Sequence, residues 1–120
     1  MSKGEVTVYV TSVEEVETQA LDMEGARGVK VQYLLHEGVG AKKLQLRLFT
    51  IDVGGYTALE KHKHEHEVFI LHGKALVRGG DKEVVVKEGG VIFISSWELH
   101  QFKNIGDEKL QFLCTKELVE

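Results

Sequence analysis

The sequence predicts an all-β fold, a sandwich or barrel of short strands, and three observations carry that prediction. The chain has thirteen glycines and no proline in 120 residues, so its turn chemistry rests mainly on glycine. Gly54-Gly55, Gly79-Gly80-Asp81, Gly89-Gly90 and Gly106-Asp107 are turn signals, spaced by roughly ten to twenty residues. Between them lie short β-branched or alternating runs, the pattern of a sandwich or barrel, and sustained helical periodicity is absent.

The elements follow in order. Glu5 to Thr11 alternates and is β-branched, which predicts a strand. Ser12 with Glu15 has the form of a capping box, so Ser12 to Ala20 is expected to open with a short helical turn. Val29 to Leu35 is a second strand and Gly38 to Gly40 a loop. Leu44 to Val53 is a third strand, with Leu44, Leu46 and Leu48 on one face and Gln45, Arg47 and Phe49 on the other. His66 to Gly73 is apolar on both faces: Val68 and Ile70 on one, Phe69 and Leu71 on the other. A strand of that kind is expected to lie inside a sandwich or to have its outer face covered by a partner. Ala75 to Arg78 and Glu83 to Lys87 form a hairpin around Gly79-Gly80-Asp81. Val91 to Ile94, Glu98 to Lys103 and Lys109 to Thr115 complete the set.

Composition bounds the rest. At 120 residues the chain is read as one domain, 1–120, long enough for a real core. Hydrophobic residues at 42% and charged residues at 28% are ordinary for a soluble globular protein. A net charge of −4 without a basic stripe argues against nucleic acid as a partner. The single cysteine, Cys114, rules out an intramolecular disulfide and suits a reducing compartment. The N-terminus lacks the layout of a signal peptide, and no apolar run approaches the ~20 residues that span a bilayer. The expectation is a cytoplasmic protein with no membrane partner.

The chemistry concentrates in Gly54 to Gly73, GGYTALEKHKHEHEVFILHG, which holds four of the six histidines. His62, His64 and His66 stand on alternate residues, interleaved with Glu60, Glu65 and Glu67. Histidine and carboxylate are the usual ligands of a divalent transition metal, and on an extended chain alternate side chains point to one side. A merely solvated charge run does not usually open onto an apolar strand such as Val68 to Leu71. Further on, alternation puts His100 and Phe102 on one face of their strand, and Leu110, Phe112 and Cys114 on one face of the last. With both faces turned inward, the interior holds a histidine, two aromatics and a thiol.

With these residues in view the chain resembles the cupins, and specifically the small single-domain cupins. LRLFTIDVGGYT, EHEVFILHG, EGGVIFISSWELHQFKN and LQFLC carry the resemblance, which runs from about residue 25 to the end, with residues 1–24 as an N-terminal strand or arm. It implies a double-stranded β-helix, the jelly-roll barrel. Matched position by position, it implies metal ligation by Glu60, His62, His66 and His100. Glu60 then stands where the family has an imidazole. An alternative pairing uses His64 as a ligand, with Glu67 third, at the expense of the motif's spacing to Gly73. Ser95 and Trp97 occupy the second motif's proline and glycine positions, which points to a different turn before His100.

Three imidazoles and a carboxylate can hold one divalent ion (iron, manganese, nickel, zinc or copper) and leave positions open, as catalytic sites do. Phe102, Phe112 and Cys114 suggest a mainly apolar pocket for a small organic substrate, and an inward Arg47 would bind a carboxylate or enolate. The resemblance implies a metal-dependent enzyme, foremost a dioxygenase-type oxidoreductase. The alternatives are a non-catalytic metal- or small-molecule-binding cupin, or a sugar-phosphate isomerase or epimerase. The outer apolar residues of the His66 strand, together with the family's habit, imply a homodimer.

Overall fold

A computed structural model describes residues 8–118. Among them nine strands follow in order: β1 Gln19–Ala20, β2 Arg27–Leu35, β3 Leu44–Tyr56, β4 His66–His72, β5 Lys74–Gly79, β6 Lys82–Lys87, β7 Val91–Ile94, β8 His100–Asn104 and β9 Leu110–Glu117. They form one antiparallel sheet in the order β6-β5-β8-β3-β9-β4-β7, with β2 added on β3 and β1 on β2, rolled into a nearly closed barrel. Single 3-10 turns at Val13–Glu15 and Glu37–Val39 are the helical content of the described residues, and no helix there is long and apolar enough to cross a membrane.

β3 organises the barrel. Leu44 to Ile51 pair with β9, and at its far end Tyr56 pairs with Lys103 of β8, so one strand belongs to both halves of the sheet. The change of partner happens at Gly54-Gly55. Gly54 has a φ of +80°, and a Cβ on Gly55 would lie 2.5 Å from the Arg27 carbonyl oxygen, a contact that only glycine avoids. The pair marks a bend within one strand rather than the end of a strand.

Alternation then sorts the interior. His66, Val68 and Ile70 of β4 and Leu110, Phe112 and Cys114 of β9 are all buried. All of these except His66 join Val29, Val31, Phe49, Ile51 and Phe102 in one core cluster. Phe112 stacks on Phe49 at 5.2 Å and on Phe102 at 4.7 Å, an aromatic column that contributes geometry as well as buried area. Asn104, also buried, donates from Nδ2 to the carbonyls of Ile51 and Glu108 and accepts from the Gly106 amide, which locks the turn between β8 and β9.

Two expectations change. The strand expected at Glu5 to Thr11 begins outside the described residues, and 8–11 make no strand pairing. Ser12 does precede a 3-10 turn, but its hydroxyl donates to the Glu15 carboxylate at 3.1 Å and caps no backbone amide. On the outer face of β4, Phe69 and Leu71 are 40% and 39% exposed. The described part of the arm lies elsewhere: β1 pairs with β2, and the buried Gln32 of β2 donates to the carbonyls of Val13 and Val16.

Candidate metal centre

At one end of the barrel a cavity of about 200 Å³ is lined by residues from the arm, β2, β3, β4, β8, β9 and the segment before β4. His62, His66 and His100 converge there, each offering a ring nitrogen, with those atoms all within 4.8 Å of one another. His66 opens β4 and His100 opens β8. His62 lies in the irregular segment between Glu60 and β4. The three alternate histidines therefore do not share one extended strand.

Backbone contacts hold that segment in place. Glu60 and His100 form an isolated antiparallel bridge, each amide donating to the other's carbonyl at 3.0 and 2.8 Å. The Trp97 amide donates to the His62 carbonyl at 2.6 Å, and the Ser96 hydroxyl to the Lys63 carbonyl at 2.6 Å. Trp97 has a φ of +65°, the one non-glycine residue with positive φ among those described. The sequence puts tryptophan where the resembling family has glycine, and the backbone keeps the left-handed turn. A bulky residue in that region is strained, by about 1–2 kcal/mol.

The ring nitrogens suit a metal. His100 Nδ1 donates to the Glu98 carbonyl at 2.9 Å, which leaves its Nε2 with a free lone pair. His66 Nε2 is buried without a hydrogen-bond partner. On the other side of that ring, Nδ1 lies 3.3 Å from Cys114 Sγ and 3.4 Å from the Arg47 guanidinium. Arg47 in turn donates to Cys114 Sγ at 3.2 Å. An orphaned buried nitrogen facing two other imidazoles, with its ring held from behind, fits a cation such as zinc or iron.

The electrostatics favour the neutral form of His64, His66 and His100. Burial, then the charge of Arg47, pushes His66 from 6.5 down to about 3. Burial, followed by Lys116, His62, Arg47 and His100, lowers His64 to about 4. His100 is lowered chiefly by burial, against the hydrogen bond to Glu98. Burial raises the Cys114 thiol, although Arg47 opposes the shift. Neutral imidazoles present lone pairs, which ligation requires.

Nine residues marked in the sequence line this cavity: Glu60, His62, His64, His66, His100, Phe102, Phe112, Cys114 and Arg47; Glu67, the third ligand of the alternative pairing, does not. Glu60 Oε1 lies 3.5 Å from His62 Nε2 but is outside the mutually close set of three. His64 stacks on His62 at 4.7 Å and is outside that set too. Phe102 and Phe112 serve the core and the cavity floor together. Lys116, Phe49, Tyr33 and Thr57 also line the cavity and were missed. Continuing the alternation Leu110, Phe112, Cys114 by one step reaches Lys116; nothing in the sequence marks Tyr33 or Thr57. The lining is mainly apolar, as the sequence suggests, but it carries a second cation, Lys116, beside Arg47.

A rolled antiparallel barrel with three convergent imidazoles in a small internal cavity defines a class: barrels that can hold one metal ion beside a small molecule. The chain belongs to the cupin family, since the cupin domain model matches residues 47–116. An oxalate-binding protein of Thermotoga maritima is 32% identical over 110 residues, which is 89% of this chain and 91% of that one. A 1-methylthio-D-xylulose 5-phosphate methylsulfurylase of Rhodospirillum rubrum is 39% identical over 70 residues, 58% of this chain but only 45% of that protein. The polyketide cyclase RemF of Streptomyces resistomycificus superposes with a TM-score of 0.87 at 24% identity, over 93% of this chain and 80% of its own, a likeness of fold alone.

Proposed function

We propose that this chain is a metal-dependent cupin that binds a small organic molecule beside a divalent ion held by His62, His66, His100 and Glu60, and that its reaction is an oxidation of the dioxygenase type. The observation that carries the metal reading is the buried, unpartnered Nε2 of His66 facing two further imidazoles. Glu60 joins the set because its carboxylate stands 3.5 Å from His62 Nε2, a separation two donors about 2.1 Å from one ion can have. Such an ion supplies Lewis acidity or an oxygen-activating centre.

The chain's own residues do the rest. The backbone bridge between Glu60 and His100 fixes the two flanks of the site together. Glu98 holds the His100 tautomer, and Phe102 and Phe112 close the floor against water. A cavity of about 200 Å³ is below the usual range for drug-sized ligands, which favours a small substrate. The homodimer expected from the sequence belongs to this reading: Phe69, Val91 and Phe93 leave an apolar outer face for a second copy.

Elemental analysis of wild type and of His62→Ala, His64→Ala, His66→Ala and His100→Ala tests the metal. Near-stoichiometric metal, kept in His64→Ala and lost in the other three, is the expected result; metal kept without His66 or His100 refutes the site. Oxygen uptake with small organic substrates tests the reaction. A non-catalytic binding cupin is the second reading, favoured by the oxalate-binding relative matched over most of its length. Bound metal and ligand without turnover or oxygen uptake would select it.

A further inference from the structure

Two cations in the cavity have no carboxylate partner among the described residues, and their placement points to the class of molecule the cavity takes. Arg47 of β3 stands opposite Cys114 of β9, and Lys116, two residues further along β9, stands opposite His66 of β4. A guanidinium and an ammonium thus flank the histidine set from neighbouring strands, and both line the cavity. Among the described residues, the ion pairs within 4.0 Å all involve histidine, and none involves Arg47 or Lys116.

Arg47 is held firmly. Its Cζ sits 4.9 Å from the Phe49 ring centroid, and one nitrogen donates to Cys114 Sγ at 3.2 Å. Its Nε, however, is buried with no hydrogen-bond partner. Leaving a charged donor buried and unpaired costs free energy. Two positive groups beside a cation site also oppose the bare ion. An oxyanion in the cavity relieves both costs, since it pairs the guanidinium and neutralises charge around the metal.

We infer that the cavity binds a small organic oxyanion, with one oxygen towards the histidine set and the others held by Arg47 and Lys116. This rests on the metal reading above. A planar guanidinium fork matches a carboxylate, so a small carboxylate is the assigned class. A phosphate monoester shares the oxyanion chemistry and is separated from it by experiment.

The test is calorimetric titration of the full chain with malonate, methyl phosphate and, as a neutral control, malonamide. The protein is used both metal-free and loaded with Zn(II), dialysed free of excess ion. Wild type is expected to bind malonate, to bind methyl phosphate less well and to ignore malonamide. Arg47→Gln should weaken malonate about 10- to 100-fold, the range of a lost charged hydrogen bond. Lys116→Gln should weaken it roughly threefold. Both should hold zinc at least as well as wild type, because a like charge near the ion is gone; general damage would weaken both ligands.

The inference is overturned if wild type binds neither anion in either form, or if malonate binding is indifferent to both substitutions while zinc is held. The metal reading fails instead, and the inference stands, if wild type holds no zinc yet binds malonate through Arg47. Tighter binding of methyl phosphate, with the same Arg47 dependence, supports the oxyanion site and overturns the carboxylate assignment.

Discussion

Replacing Cys114 with alanine should weaken metal binding far more than it weakens the fold. Cys114 is buried, and its sulfur lies 3.3 Å from His66 Nδ1. When His66 Nε2 ligates an ion, Nδ1 must carry the ring's hydrogen, and that hydrogen needs an acceptor. The other group near Nδ1 is the Arg47 guanidinium at 3.4 Å, which can only donate. The sulfur is thus the acceptor, and the thiol hydrogen is free to point at the Thr115 carbonyl, 3.8 Å away. A neutral thiol suits this arrangement, and burial raises its pKa accordingly. In Cys114→Ala the Nδ1–H faces a void. The expected loss is that of an outer partner of a ligating histidine, ~10- to 100-fold in metal affinity or about 1.4–2.7 kcal/mol. Metal-free protein should suffer less, because His66 can then switch tautomer and accept from Arg47. Cys114→Ser restores an acceptor and should recover most of the affinity. The assay is competition for Zn(II) against a chromophoric chelator, with denaturant melts of the metal-free proteins alongside. Wild-type affinity in the alanine variant, or equal losses in alanine and serine, refutes the reasoning.

Two further outcomes follow from the site's surroundings. Trp97→Gly relieves a left-handed backbone that tryptophan tolerates poorly, and the indole is 60% exposed; melts should show a gain of about 1 kcal/mol, and a loss would mean that the indole packs more than its exposure implies. For pH, the folded pKa values of His66 and His64 lie near 3 and 4, below the ordinary 6.5. The unfolded chain therefore takes up protons first as pH falls, so metal-free protein should be most stable above about pH 6.5 and lose stability from there down to about pH 3. Denaturant midpoints across that window should flatten in His66→Gln, and an unchanged profile contradicts the assignment.

Much of this protein is determined locally. Side-chain direction on a strand has period two, so the faces of β4, β8 and β9 could be read from neighbouring residues, and with them the burial of Val68, Ile70, His100, Phe102, Phe112 and Cys114. The glycine turns likewise follow from backbone conformations that few other residues adopt, as at Gly54. Family resemblance then selects the histidines. Other features depend on contacts between residues far apart in the chain, which no local pattern encodes. Sheet order alone sets β9 between β3 and β4, and so brings Arg47, Cys114, Lys116 and His66 together across nearly seventy positions. The irregular path from Glu60 to Glu65 places His62 with His66 and His100 and leaves His64 stacked beside them, because amides and hydroxyls of the turn at 95–97 hold that path. The sequence by itself determined an all-β barrel rich in metal-ligand chemistry. The tertiary structure brings together the three imidazoles that the resemblance selects, and it alone sets beside them two cations that have no carboxylate partner among the described residues, since convergence depends on strand order and on which face each strand turns inward.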